Sequence, residues 1–222
     1  KPLDEGVHLT AAHIDSPRLD LKQRPLYEES QLGLFKTHYY GGIKKYQWPT
    51  IPLALHGVIV KKDGTQITVR LGEDENDPQF CVTDLLPHLD KDMGKKTMDK
   101  AFNGEQLNVL IGSLPFRDDK ESELVKLNII KLLNEKYDIV EADFLSAELT
   151  MVPAFKAVDI GFDRSMIGAY GHDDRVCAYP ALSALFKCGV PETTCVCCLT
   201  DKEEIGSEGN TGLISSYLKN FI

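Results

Sequence analysis

The chain has 222 residues, of which 42% are hydrophobic and 27% are charged, as is usual for a globular protein. Its net charge of −9 argues against nucleic-acid binding, which requires a basic surface. No apolar run approaches the roughly 18 residues that cross a bilayer, so we expect no membrane partner. This length suffices for one large domain or two small ones.

The cysteines predict the redox environment of the protein. Three of the six lie inside one apolar run, "TTCVCCLT", which favours buried free thiols. Free thiols are typical of a reducing compartment, so we expect a cytoplasmic protein. The six residues are Cys81, Cys177, Cys188, Cys195, Cys197 and Cys198.

The first half of the chain predicts strands followed by one helix. Residues 7–15 have the pattern of a strand, which Ser16–Pro17 ends. The segment "YYGG" at 39–42 is typical of a turn. Residues 53–72 predict two strands joined at Asp63–Gly64, a common hairpin dipeptide. Apolar residues at helical spacing predict a helix over 119–137.

The second half changes to an alternation of helix and strand. A helix is predicted to begin within "HDDR", where Asp173 or Asp174 can cap its first turn. Gly189 ends this helix. Residues 194–199 are apolar on both faces, as in the strands of a covered parallel sheet. We therefore predict α/β structure at both ends of the chain. Residues of roughly 40–142 predict a separate β-rich module with one helix.

The terminal segments favour a longer polypeptide. The chain opens on "KPLDEGVHLT" without an initiator Met, close to its first predicted strand. It stops within "TGLISSYLKNFI", which has the pattern of a continuing helix. We therefore expect that this sequence is one part of a larger protein.

The first candidate motif is His13–Ile14–Asp15. Side chains alternate along a strand, so the His13 and Asp15 side chains should project to the same side. A metal-binding histidine commonly needs a carboxylate to fix its tautomer, which Asp15 could supply. The alternative is a polar pair at the end of a strand.

The second motif is "HDDR", His172–Arg175. One aspartate could bridge two cations because a carboxylate has two oxygens, and Arg175 could offset the local negative charge. The alternative is that the two aspartates only cap the helix and complement its dipole. His172 is a possible ligand, although a loop position without a metal fits it better.

The third motif is the pair Glu203–Glu204, which directly follows a predicted buried strand. Ligands of open α/β sheets bind beyond the carboxyl ends of the strands. A two-metal hydrolase needs a carboxylate ligand and a separate base to take a proton from water. Gly206 and Gly209 would let the backbone bend there. The alternative is a solvated acidic loop.

Together the three motifs supply histidine nitrogen and carboxylate oxygen, a ligand set that suits zinc, cobalt or manganese. A Gly-rich phosphate loop, G-x-S-x-G and H-E-x-x-H are all missing from the sequence. The sequence therefore favours metal-dependent hydrolysis over phosphoryl transfer or serine catalysis.

The same segments resemble the aspartyl aminopeptidase/aminopeptidase I family of metallopeptidases, and their residues are most similar to those of bacterial members. The matching segments occur in the family's order and spacing: "AAHIDSPRLDLK", "YYGG", "LSAELTMVPA", "GFDRSMIGAYGHDDR" and "DKEEIGSEGNTG". The resemblance implies an aminopeptidase that removes the N-terminal residue from peptides at a centre of two divalent ions, zinc first, with cobalt or manganese as alternatives.

The resemblance also implies a role for each site residue. His13 would bind one metal, Asp173 would bridge both, and Glu204 would bind the second. Glu203 would be the general base that takes the proton from the attacking water. Asp15 would orient His13. Two further ligands of the family, an Asp and a His, would lie beyond Ile222.

The implied architecture is a zinc-peptidase-like α/β domain with a mostly parallel sheet and flanking helices. The catalytic domain would comprise residues 1–40 and 143–222, interrupted by an inserted β-rich dimerisation domain at 41–142. Dimers would assemble into a tetrahedral dodecamer. His88, in "LLPHLDKDM", would reach the substrate site of a neighbouring subunit. The "YYGGIKKYQWP" segment departs from the family's usual aromatic-rich version.

Two other functions remain open at this point. A different exopeptidase or a deacylase could use the same two-metal scaffold without recognising the amine of the substrate. A non-catalytic assembly module with an incomplete metal site would carry the same fold. A continuation of the chain with an Asp and a late His would favour the enzyme over the module.

Overall fold

The computed structural model of the protein describes residues 2–117 and 122–221. Its strands are β1 (Val7–His13), β2 (Arg18–Glu29), β3 (Leu32–Tyr40), β4 (Leu53–Val60), β5 (Gln66–Leu71), β6 (Cys81–Val82), β7 (Val109–Gly112), β8 (Ala147–Pro153), β9 (Val158–Ile160), β10 (Met166–Gly168) and β11 (Thr194–Thr200). Its α-helices are α1 (Met98–Ala101), α2 (Leu124–Tyr137), α3 (His172–Lys187) and α4 (Ser216–Phe221). Helices of a length and apolarity that could cross a membrane do not occur among these residues.

The chain divides into two compact units. The first unit comprises Lys1–Pro17, Tyr40–Gly42 and Lys156–Ile222, and the second comprises Arg18–Tyr39 and Ile43–Phe155. The predicted boundaries, at 40/41 and 142/143, lie elsewhere. They differ because β2, β3 and β8 belong to the same sheet as β4 and β5, so these strands fall in the second unit.

A seven-stranded sheet in the order β5-β4-β8-β2-β3-β7-β6 forms the second unit. The pairings β4–β5, β4–β8, β2–β8, β3–β7 and β6–β7 are all antiparallel. The prediction of a mostly parallel sheet is therefore wrong for this protein. Alternation of side chains indicates a strand but does not identify its partner, and hairpin connections place neighbouring strands antiparallel.

The predicted hairpin over 53–72 is confirmed. β4 and β5 pair in register from Leu55↔Leu71 to Val60↔Gln66. The connecting loop is five residues long, and the Asp63 carboxylate accepts a hydrogen bond of 2.9 Å from the Thr65 amide. Gly64 has φ +88, a left-handed conformation that glycine adopts without steric cost.

The hydrophobic core lies in the second unit. Sixteen residues with at most 7% exposure form it: Leu19, Leu26, Phe35, Trp48, Leu53, Leu55, Ile59, Val69, Leu71, Val82, Leu107, Val109, Ile139, Phe144, Leu149 and Met151. The predicted helix over 119–137 is α2, and residues 118–121 lie outside the described residues. The Glu28 carboxylate caps this helix by accepting the Val125 and Lys126 amides at 2.9 and 3.1 Å.

Gly57 lies at a position in this sheet where there is no room for a side chain. It lies in the centre of β4, between β5 and β8, with φ +142, and a Cβ atom there would lie 1.9 Å from the Glu148 carbonyl oxygen. We expect Gly57→Ala to destabilise the protein by about 2 kcal/mol or more, because strand β8 would have to move. Urea unfolding measures this loss. Gly94→Ala is the matched control, since nothing lies within 4 Å of a Cβ there; equal stability of the two variants would contradict the expectation.

The first unit contains a parallel pair of strands. β1 and β11 pair from Val7↔Thr194 to His13↔Thr200, which confirms the strand predicted at 194–199 and its parallel partner. Helix α3 ends at Lys187, before Gly189, as predicted.

The prediction of buried thiols is wrong. All six cysteines are free, but Cys177 and Cys188 are exposed and the other four are partly exposed.

Candidate metal centre

Three predicted motifs meet beyond the carboxyl ends of β1 and β11. The last pair of the ladder is His13↔Thr200, and the Ile14 amide donates to the Thr200 carbonyl at 2.9 Å. The chain therefore leaves both strands at the same edge. Residues that follow these strands by two or three positions are brought together there, although they lie far apart in the sequence.

His13 is the central side chain of the cluster. Its side chain is 9% exposed, whereas that of Asp15 is 1% exposed. The His13 Nδ1 atom lies 3.0 Å from the Asp15 backbone carbonyl and 3.3 Å from the Asp15 Oδ1 atom. With a proton on Nδ1, the Nε2 lone pair is available to a ligand. Two oxygens of Asp15 therefore lie on the Nδ1 side of the His13 ring.

Asp173 lies on the other side of the His13 ring. Its Oδ1 atom is 3.0 Å from His13 Nε2, and its side chain is 85% exposed. The Ser16 hydroxyl donates to the Asp173 backbone carbonyl at 3.2 Å. The predicted capping role is not confirmed, because Gly171 occupies the N-cap position without a side-chain bond. Asp173 and Asp174 both have non-helical backbone angles.

Glu203 and Glu204 begin a short 3-10 turn, Glu203–Ile205, directly beyond β11. The Glu203 Oε2 atom lies 3.7 Å from His13 Nε2, and the Glu203 side chain is 55% exposed. The two glutamate amides donate to the Asp15 carboxylate at 3.2 and 3.3 Å. Gly206 and Gly209 have φ +85 and +97, which confirms that glycines bend the backbone there.

Negative charge concentrates around His13. Burial acts to lower the pKa of His13, but the hydrogen bonds to Asp173 and to the Asp15 carbonyl outweigh it. The charges of Asp15 and Glu203 add to this, so the His13 pKa lies above its usual value. Burial, followed by the charge of Asp173, raises the pKa of Glu204. Such a cluster of carboxylates attracts a cation.

Burial also acts to raise the pKa of Asp15, yet this pKa lies below its usual value. The hydrogen bond from the Tyr40 hydroxyl, and then those from the two glutamate amides, overcome the effect of burial. Asp15 is therefore held as a carboxylate inside the cluster, where it stabilises a proton on the facing nitrogen of His13.

The donor types fit a zinc ion. Zinc binds histidine nitrogen and carboxylate oxygen at about 2.0–2.2 Å, which places two tetrahedral ligands about 3.3 Å apart. The 3.0 Å separation of His13 Nε2 and Asp173 Oδ1 is close to this value. Within residues 2–117 and 122–221, however, no three His, Cys, Asp or Glu side chains already form a group that could hold a metal.

Two other histidines do not join the cluster. His88, the predicted substrate-binding residue, lies in an exposed turn of the second unit. The ring of His172 is exposed, and its Nε2 atom is 3.0 Å from the Ile167 carbonyl. The predicted loop position is wrong, because His172 is the first residue of α3.

Sequence reasoning missed three residues of this region. The Tyr40 hydroxyl donates to the Asp15 Oδ2 atom at 2.6 Å, and Ser16 contacts Asp173. The Tyr170 hydroxyl donates to the Pro17 carbonyl at 2.6 Å. The signal for Tyr40 was the "YYGG" segment, which predicts a turn and gives no indication of what the turn contacts. Ser16 and Tyr170 lie in the matching segments "AAHIDSPRLDLK" and "GFDRSMIGAYGHDDR", which give no contact either.

Comparison with known proteins decides the family. The family model described as aminopeptidase I zinc metalloprotease (M18) matches residues 1–222. The chain belongs to the M18 family. A probable M18 family aminopeptidase 1 of Clostridium acetobutylicum is 57% identical over 222 residues, which are 100% of this chain and 48% of that protein.

Solved structures of M18 proteins share the fold. The crystal structure of an M18 aminopeptidase from Thermotoga maritima superposes with a TM-score of 0.94 at 51% identity, over 99% of this chain and 48% of that one. The mApe1 dodecamer of S. cerevisiae, 20% identical, matches with a TM-score of 0.70 over 98% of this chain and 48% of that one. The chain thus spans about half the length of the M18 relatives it matches.

Proposed function

We propose that this M18 chain carries the first part of the active site of a metal-dependent aminopeptidase, which removes the N-terminal residue from peptides. The observation that supports the proposal most strongly is the arrangement around one nitrogen. Carboxylate oxygens of Asp173 and Glu203 lie 3.0 and 3.7 Å from His13 Nε2, on the exposed side of the ring. The M18 match, described as a zinc metalloprotease, supports the same chemistry.

The proposed centre holds two zinc ions, with cobalt or manganese as alternatives. His13 would hold one ion, Asp173 would bridge both, and Glu204 would hold the second. The remaining ligands, an Asp and a His, are proposed to follow Ile222 in the full-length protein. A zinc ion, when bound, polarises the carbonyl of the substrate and lowers the pKa of the attacking water.

Glu203 is the proposed general base. Its carboxylate is half exposed, so it can face both water and a substrate. It would take the proton of the attacking water at an Oε atom and deliver it to the nitrogen of the leaving peptide. Asp15 would keep the Nδ1 proton of His13 in place, so that Nε2 faces the same space.

We propose that the second unit corresponds to the inserted dimerisation domain and that dimers assemble into a tetrahedral dodecamer. Support comes from the yeast mApe1 structure, which shares the fold and is a dodecamer. His88 would then serve the substrate site of a neighbouring subunit, for which its exposed position leaves it available. The six free thiols support a cytoplasmic location.

The test of this function uses the full-length protein. Metal content is measured first, and amino-acid release is then followed on peptides that begin with Asp, Glu, Leu, Met or Lys. We expect about two metal ions per subunit and release only from peptides with a free amine. Release from acetylated peptides as well would favour a different exopeptidase or a deacylase. If the protein neither binds metal nor releases amino acids when zinc, cobalt or manganese is added, the result would favour the non-catalytic assembly module.

A further inference from the structure

The segment Tyr40–Gly42, which is the last residue of β3 and the two glycines after it, belongs to the first unit, although both of its flanks in the sequence belong to the second. Three residues of the chain therefore enter the unit that carries the metal ligands. One of them, Tyr40, contacts the candidate centre directly. Tyr40 is 6% exposed, and its hydroxyl makes the 2.6 Å bond to Asp15 Oδ2.

Asp15 connects the separate parts of the centre. Its Oδ1 atom accepts the Glu203 amide and lies 3.3 Å from His13 Nδ1. Its Oδ2 atom accepts both the Glu204 amide and the Tyr40 hydroxyl. The Tyr40 bond is the shortest of these contacts, so it fixes the rotation of the carboxylate. That rotation sets both the imidazole ring and the backbone that carries the two glutamates.

Gly41 leaves room for the Glu204 side chain. It has φ +81, and a Cβ atom there would lie 3.1 Å from both the Cβ and the Oε2 atom of Glu204. A larger residue would therefore press on the side chain of a proposed metal ligand. The next residue, Gly42, differs in both respects, because nothing lies within 4 Å of its Cβ position and its φ is not left-handed.

We propose that Tyr40 and Gly41 position the side chains of the metal centre. Tyr40 acts through Asp15 on His13 and on the glutamate backbone, and Gly41 sets the place of the Glu204 side chain. The proposal rests on the aminopeptidase function proposed above. Tyr40 and Gly41 touch neither substrate nor metal in this scheme, so they are positioning residues.

Tyr40→Phe tests the first half of the proposal in the full-length protein. Zinc affinity is measured by competition with a chelator, and kcat and KM on a peptide with a free amine. We expect zinc affinity and kcat to fall about tenfold each, the effect usual for outer-shell partners of a metal site, with KM little changed. Tyr39→Phe, which removes the neighbouring hydroxyl, should match the wild type.

A measurement on the metal-free protein distinguishes failure of this proposal from failure of the proposed function. Hydrogen exchange of the Glu203 and Glu204 amides in metal-free Tyr40→Phe protein should be faster, while amides of β4 and β8 keep their protection. Faster exchange in a protein without aminopeptidase activity would keep the positioning role and overturn the function. Unchanged exchange, affinity and kcat in an active enzyme would overturn the positioning role.

Gly41→Ala tests the second half, with Gly42→Ala as the matched control one residue away. We expect Gly41→Ala to lose at least about tenfold in zinc affinity, because the added methyl group displaces Glu204. Gly42→Ala should bind zinc as the wild type does. Equal zinc affinities of the two variants would overturn the role of Gly41. If Gly41→Ala does not fold, the Tyr40→Phe measurements still decide the proposal.

Discussion

Replacing Glu203 by glutamine should remove most turnover and leave the metal in place. Glutamine has nearly the same shape, but its amide cannot take a proton from water. The backbone bond from residue 203 to Asp15 does not involve the side chain, so the turn should keep its position. Loss of a general base costs typically 10²–10⁴-fold, and we expect a fall in kcat of about this size. Steady-state kinetics and metal analysis of the full-length protein measure the two quantities.

Glu208→Gln is a suitable control for this experiment. Glu208 is exposed in the loop that follows the glutamate pair, and the substitution makes the same change of charge. It should leave both kcat and metal content unchanged. A Glu203→Gln protein that lost metal and activity to the same extent would show that Glu203 is a ligand, and the assigned division of roles would be wrong.

Asp173→Asn should empty both metal positions. A carboxylate can bind one cation through each oxygen, whereas an amide offers one oxygen and an N–H₂ group that repels cations. The Asp173 Oδ1 atom lies 3.0 Å from the proposed ligand nitrogen of His13, so the loss occurs at the centre itself. We expect zinc affinity to fall by more than the roughly 10–100-fold that outer-shell substitutions cost. Metal analysis after dialysis measures the occupancy.

The adjacent residue supplies the control. Asp174→Asn removes the same charge one position along the chain, where the structure shows no contact with His13 among the described residues. That variant should keep its metal. Full occupancy in Asp173→Asn protein would exclude Asp173 as the bridging ligand, and equal losses in the two variants would indicate a general effect of charge.

The sequence predicted the elements whose patterns are local. β1, the β4–β5 hairpin, α2, α3 and β11 each have a local apolar pattern and a clear end in the sequence. β2 and β3 were missed because their turn lacks a glycine. Ser30 and Gln31 adopt φ 51 and 62 there, a conformation that neither residue type predicts. β2 also contains Pro25, which argues against a strand within a sheet.

In the candidate site, too, the sequence predicted the residues with a local pattern and missed those placed only by the folded chain. His13 and Glu203 each follow a recognisable strand, so sequence reasoning could place them at one sheet edge. Tyr40 lies in a segment with no such relation to either strand, and only the folded chain brings its hydroxyl to Asp15. The prediction of a mostly parallel sheet is wrong because the parallel pairing of β1 and β11 does not extend into the separate seven-stranded sheet.

The parallel pairing of β1 and β11 has a consequence for the order of folding. Asp15 and the Glu203 amide are 188 positions apart, and closing such a loop in an unfolded chain costs about 5 kcal/mol of entropy. The second unit removes most of that cost, since Leu19 opposite Met151 brings its first and last strands together. We therefore expect the amides of β4 and β8 to gain protection from hydrogen exchange before those of β1 and β11 during refolding. Simultaneous protection of all four strands would contradict this order of folding. The proposed catalytic carboxylates would then be the last part of the described chain to meet, so a nascent chain could not form the proposed centre before its second unit has folded.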